Sequence, residues 1–257
     1  GGNVFFRIIL GVLCLNMFTS VVQYACAEDR VYRIGVEAGN YGPYHFDDGG
    51  AYKGFLPDIV NRFAVDLGYQ VEYVALPVNR LNHALVTGQI DIRMPDNPNW
   101  YVNEKSAHNV HYSKTIISSR AGLNVFLEYK TADIKTIGMI LGFNPIEYQE
   151  DLDGGHYDLI AARDVEGVLR MGILNRVDAV YGDYNVFQST LRRMGEDPHQ
   201  LIFKENYRYS EHDYQLSTIT EKAFLNAFDA WLQQSQDVVT ELKRQHSFSV
   251  SEDVLPQ

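Results

Sequence analysis

Cysteine is almost absent from this chain. There are two in 257 residues, Cys14 and Cys26, and both fall in the first 26 positions. Beyond them no disulfide can staple the fold and no thiol can serve as nucleophile or metal ligand. Basic runs are missing too. Lys and Arg number 22 against 33 Asp and Glu, a formal net charge of −11, so nucleic acid is not an expected partner. After residue 27 no stretch is long and apolar enough to span a bilayer. A Gly-rich phosphate loop, a nucleophile elbow and a zinc-protease motif are all lacking. His108 and His111 stand three apart, but no third ligand follows at a recognisable spacing, so neither a metal nor another cofactor is expected.

The chain is rich in aromatics, with 17 Tyr and 13 Phe. Such side chains fill cores and also line sites for small molecules. The first 27 residues stand apart. Arg7 is their only charge, Ile8 to Val22 is largely apolar, and Ala25-Cys26-Ala27 precedes the charged Glu28-Asp29-Arg30. This pattern predicts an export signal cleaved after Ala27, with residues 28–257 as the mature, periplasmic chain. A membrane anchor is the alternative, although Asn16, Thr19 and Ser20 interrupt the apolar run.

The remainder reads as repeated α/β units. Val31 to Val36 alternates as a strand, Tyr41-Gly42-Pro43-Tyr44-His45-Phe46 is an aromatic loop, and Asp47-Asp48-Gly49-Gly50 is a turn. Leu56, Ile59, Val60, Phe63 and Leu67 recur at helical spacing, and Gly68 ends that helix. Val71 to Val74 is a strand, Arg80 to Val86 a helix, and Ile90 to Met94 a third strand. Residues 95–110 read as a loop and Ile116 to Leu127 as extended chain. A second unit follows, with strands at 137–140, 157–160 and 177–181, and helices at 165–174 and 186–194. One or two amphipathic helices close the chain over 221–245.

The two units share a device. Arg80 to Asp91 and Val168 to Asp178 each run helix, turn, apolar residue, and an Asp that opens a strand. This order predicts two lobes, each a mainly parallel sheet with flanking helices. No Pro/Ser-rich linker separates them, so close, extended crossings are expected.

Several segments together resemble the periplasmic solute-binding proteins of ABC importers, in the class typical for polar amino acids, the bacterial extracellular solute-binding family 3. They are Gly42-Pro43-Tyr44-His45-Phe46, Gly54-Phe55-Leu56-Pro57-Asp58, Arg80-Leu81 to Gly88-Gln89-Ile90-Asp91, Val110-His111-Tyr112-Ser113-Lys114-Thr115, and Arg176 to Asp183. The resemblance covers essentially residues 30–245. It implies the type II periplasmic binding fold, with two lobes joined by two crossing strands and a ligand held between them. Lobe one would be residues 28–120 plus 215–257, and lobe two 121–214. A single α/β domain is the alternative.

The resemblance also proposes site residues. Asp183 follows Asp178 by five, the spacing at which the family pairs an Asp with the ligand's ammonium, and Gly182 would let the chain turn there. Asp183 would equally cap the helix that follows. Where the family has a Thr-x-Glu-Arg segment, this chain reads Asp96 to Lys105, so Lys105 stands at the place of the carboxylate-gripping Arg. Lysine lacks the planar fork, and the exchange is not conservative. A solvated surface lysine is the other reading of Lys105. Arg120, at the predicted crossing, is a rival anion anchor, and Arg80 is expected to pair within lobe one, with a place facing the cleft as its alternative. Tyr44 and Trp100 are aromatic candidates for stacking on the ligand, or core. Phe143 and Asn144 occupy the family's Gly-Thr-Thr-like turn, and Phe143 forms a third wall. Tyr148 and Tyr181 are expected to be structural.

The function expected is capture of a small polar, amine-bearing ligand and its delivery to a membrane permease, by a monomer with no catalysis of its own. A sensory or adaptor module without transport is the alternative. A third is an enzyme like the cyclohexadienyl dehydratases that share this fold; it needs a protonated carboxylic acid in the cleft, and the sequence selects none.

Overall fold

The computed structural model describes residues 30–129, 133–141, 143 and 145–248. The expected signal segment and Asn144 lie outside them. The chain opens with β1 (Val31–Glu37), then a small ribbon of β2 (Asn40–Tyr41), β3 (His45–Asp48) and β4 (Ala51–Lys53). It continues with α1 (Phe55–Leu67), β5 (Gln70–Leu76), α2 (Val78–Val86), β6 (Ile92–Asp96), α3 (Val102–Lys105) and β7 (His111–Tyr112). The long strand β8 (Ile117–Phe126) leads to β9 (Thr136–Ile140), α4 (Gln149–Asp153), β10 (Asp158–Ala162), α5 (Val165–Ile173), β11 (Ala179–Asp183) and α6 (Tyr184–Met194). Then β12 (Leu201–Phe203), the long β13 (Tyr209–Thr218), α7 (Lys222–Gln234) and α8 (Gln236–Gln245) complete it.

The strands join in the order β10-β9-β11-β8-β13-β6-β1-β5. Pairing is parallel at both ends, β5-β1-β6 and β10-β9-β11, and antiparallel through the middle. The two long strands explain that change. Residues 117–122 of β8 pair with 209–214 of β13. From residue 121 onward β8 also pairs with β11 and then β12, while β13 runs on past the ladder to pair with β6 and β7. Each therefore belongs to both parallel sheets, and the fold is two-lobed with two crossing strands.

In the first lobe α1 lays Phe55, Leu56, Ile59, Val60 and Phe63 on the sheet, against α7. The Phe63 ring meets Phe224 and Phe228 edge-on, with centroids 5.1 and 5.3 Å away. Gly68, in the left-handed region at φ 74°, ends this helix as its sequence position predicts. The repeated Asp has one structural job in both lobes. Asp91 Oδ2 accepts the Arg33 backbone N–H at 2.8 Å, and Asp178 Oδ2 accepts those of Lys135 and Thr136 at 3.0 and 2.8 Å. Each carboxylate tethers the neighbouring parallel strand at its start. These bonds, with the Arg33 and Lys135 charges, hold both carboxyls below the usual Asp range despite the opposing effect of burial.

Two differences from the sequence expectation matter for the site. Pro95 and Asp96 are not loop: they extend β6, and every residue of that strand is buried. Gly182 does not turn the chain. It lies inside β11, opposite Gly122, and a Cβ there would sit 2.5 Å from the Phe187 ring. Glycine is needed for close approach of the following helix, and the strand runs on to Asp183.

Candidate functional site

Parallel strands deliver their C-terminal ends to a crevice. Here a cavity of about 600 Å³ opens where β1 and β6 end beside the crossing ladder. Glu37, Arg93 and Pro95 come from those strand ends, and Tyr41 and His45 from the aromatic ribbon. The 95–101 segment adds Asn99, Trp100 and Tyr101. Ser119, Ala121, His212 and Tyr214 come from the crossing strands, and Phe143 and Tyr181 from the second lobe. The wall is aromatic with a few polar groups, the usual composition of a small-ligand site.

The polar groups are unequal. Burial raises the Glu37 carboxyl above the usual Glu range, the Arg93 charge opposes the shift, and no hydrogen bond contributes. His45 is buried with Nδ1 unpartnered among the described residues, and burial lowers its pKa to about 4, so the imidazole is neutral at pH 7. His212 is pushed down as well, by partial burial against the pull of Glu147.

The residues selected from sequence divide into two groups. Trp100 and Phe143 lie on the wall. The Trp100 ring packs on His212 and Tyr214 with centroids 6.0 and 5.8 Å away, and Phe143 reaches across to Tyr41 at 6.4 Å. Asp183, Tyr44, Lys105 and Arg120 are not among the wall residues, and each has a physical reason to be elsewhere.

Asp183 is 1% exposed and sits one layer behind Ser119. Its Oδ1 accepts the Val186 backbone N–H at 2.9 Å and so caps α6. Its Oδ2 accepts from the Ser119 hydroxyl and from Tyr44 Oη at 3.1 Å. Burial raises its pKa, opposed by these donors. Tyr44 is wholly buried, its hydroxyl held between Asp183 and Asn185 Nδ2, the latter donating at 3.2 Å. A first-lobe tyrosine thus occupies the carboxylate that the family resemblance reserves for a ligand ammonium.

Lys105 is not solvated. It is 5% exposed, donates from Nζ to Asp96 Oδ1 at 3.1 Å and to the Asn97 carbonyl at 2.7 Å, and lies over the Tyr112 ring. Arg120 is exposed and paired with Glu211 at 2.9 Å. Tyr181, expected to be structural, donates its hydroxyl to Glu147 and also lines the cavity. Glu37 and Arg93 were passed over in sequence because each reads as an ordinary strand residue. The available signal was a single charge inside an otherwise apolar strand, as in Ile92-Arg93-Met94.

Solved structures share this architecture. The substrate-binding protein of an amino acid ABC transporter superposes with a TM-score of 0.63 at 18% identity, covering 85% of this chain and 99% of that one. The GluR0 ligand-binding core in complex with L-glutamate gives 0.65 at 16% identity, covering 85% and 99%. A histidine kinase sensor domain with similarity to periplasmic binding proteins gives 0.65 at 15%, covering 85% and 96%. No curated protein matches the sequence. The model of one family, however, matches residues 32–247, and the chain belongs to it: the bacterial extracellular solute-binding proteins, family 3.

Proposed function

We propose that this chain is an exported, monomeric solute-binding protein. It holds a small polar, amine-bearing, amino acid-like ligand between its lobes and presents it to an ABC permease. The observation that carries the reading is the cavity of about 600 Å³, walled by both lobes and by the strands that join them. A ligand there touches every part that moves when the lobes rotate, so binding and closure are one event. We place the lobe boundaries at 120/121, within the β8–β13 ladder, and at 214/215, where that ladder ends. Trp100 and Phe143 are the aromatic walls in this reading. Glu37 takes the ligand amine, because Asp183 is already filled by Tyr44, Ser119 and the α6 N-terminus.

A sensory module that reports ligand to a membrane partner is the second reading. It has the same cavity and differs only in what recognises the closed form; a histidine kinase sensor domain is built on this fold.

A thermal-shift screen of amino acids, amines and small peptides tests the binding claim. A ligand at a hundred times its Kd adds about 2.7 kcal/mol to stability. A concentration-dependent rise in Tm supports capture. A flat response to every class would remove the solute-binding reading.

A further inference from the structure

Arg93 is buried with less than it needs. It is 2% exposed, yet it contributes to the cavity wall. Nη1 donates to Asn82 Oδ1. Nε is buried with no acceptor among the described residues. The guanidinium lies 5.3 Å from the Tyr101 ring centroid, an aromatic face on one side of the cation.

Its nearest carboxylate is already in use. Asp96 is 3.6 Å from Arg93 Nη1. The same carboxylate accepts Lys105 Nζ at 3.1 Å, Ser217 Oγ at 2.7 Å and the Asn97 backbone N–H at 2.8 Å. Two buried cations therefore share one anion, and buried cations are normally fully paired. A second carboxylate stands close without closing on it. β1 and β6 are parallel with Gly35 opposite Arg93, so Gly35, Glu37, Arg93 and Pro95 share one face of the sheet. Ile34, Val36, Ile92 and Met94 fill the core on the other. Glu37 senses the Arg93 charge yet accepts no side-chain hydrogen bond among the described residues. The wall thus presents one under-paired cation and one under-paired anion, among rings.

We propose that Arg93 is the anion anchor of this cavity, taking the carboxylate of a small zwitterion whose amine is taken by Glu37. The inference rests on the solute-binding reading above and adds which ligand group meets which residue. Lys105 is committed to Asp96 and reaches the ligand only through that carboxylate's hold on Arg93. The planar fork of an arginine suits a carboxylate in a way the lysine point charge does not.

The test uses matched probes on the protein: each L-amino acid, the amine left by removing its carboxylate, and the acid left by removing its amine. L-lysine with cadaverine, L-arginine with agmatine, and L-glutamate with glutarate are the first sets. At equal concentration an amino acid raises Tm while its two truncated forms do not. By calorimetry, Arg93→Gln weakens binding of that amino acid about 100-fold, and Arg93→Lys recovers part of the loss. Should the Arg93 variants fail to fold, Glu37→Gln carries the test. It abolishes the preference of the amino acid over its deaminated acid.

An amine without a carboxylate that binds the wild type as well as the amino acid overturns the inference and leaves the solute-binding reading standing. Undiminished affinity in Arg93→Gln does the same, as does an unchanged preference in Glu37→Gln. A panel with no Tm shift at all overturns both.

Discussion

Two aspartates end the sheet strands that flank the crossing pair β8 and β13. Asp96 closes β6 in the first lobe and Asp183 closes β11 in the second. They are 0% and 1% exposed, and the crossing strands reach both: Ser217 of β13 donates to Asp96 and Ser119 of β8 to Asp183. The difference lies in the remaining partners. Asp96 is matched by two cations, Lys105 and Arg93. Asp183 is matched by two hydroxyls and a backbone amide of the α6 N-terminus, with no cation among the described residues. The first neutralises charge in a buried polar cluster that reaches the cavity wall through Arg93. The second joins the lobes, because Tyr44 reaches it from the opposite side. Equivalent places in two similar α/β units have been turned to different work.

Removing one carboxylate at a time separates the two roles. Asp96→Ala strands both Lys105 and Arg93 in the interior, and the expected loss is about 3 to 5 kcal/mol in denaturant unfolding. A loss under about 1 kcal/mol would mean that the cations find water and the cluster is not a buried network.

Asp183→Ala comes next. It removes the cap of α6 and leaves the Ser119 and Tyr44 hydroxyls without an acceptor. We expect about 2 kcal/mol, followed by the same denaturation measurement. Tyr44→Phe, which removes only the contact between lobes, costs about 1 kcal/mol.

A pH series sharpens the contrast further. Burial raises the Asp183 pKa above its unfolded value, so the stability linked to its proton is fully present below that value and is lost as pH rises through the folded one. Asp183→Asn keeps a capping side chain without the charge. Relative to wild type it should gain stability as pH rises from below about 3.9 toward neutrality. A difference that stays constant with pH would show that the donors fully offset the burial. Smallest of all, Arg120→Ala removes exposed ion pairs to Glu211 and Glu205 and should change stability by less than about 0.5 kcal/mol.

Much of this was legible in the sequence, and the parts that were not share a cause. Helix spacing from Leu56 to Phe63, the Gly68 stop and the matched Asp91 and Asp178 describe local chemistry, and the structure realises each locally. Asp183 shows both the reach and the limit of such reading. Its value as an N-cap is local and is observed. Whether its free oxygen would meet a ligand depended on Tyr44, 139 positions away. Arg93 and Glu37 escaped notice because strand alternation assigns side chains to faces and does not say which face meets a cavity. No periodicity marks β13, because Tyr209 to Gln215 mixes polar and aromatic residues; the family resemblance alone implied a crossing strand there. Its partners are distant in sequence, and they alone make it a strand.

The central claim, a solute held between the lobes, has a built-in reporter. The chain has two tryptophans. Trp100 lies on the cavity wall, whereas Trp231 is packed in α7 with its indole N–H on Asp66 at 2.9 Å. Titrating the amino acid that gives the largest Tm shift while following tryptophan emission should give a saturable change that is lost in Trp100→Phe. A change that survives Trp100→Phe at full amplitude would place the ligand outside this cavity and contradict the account.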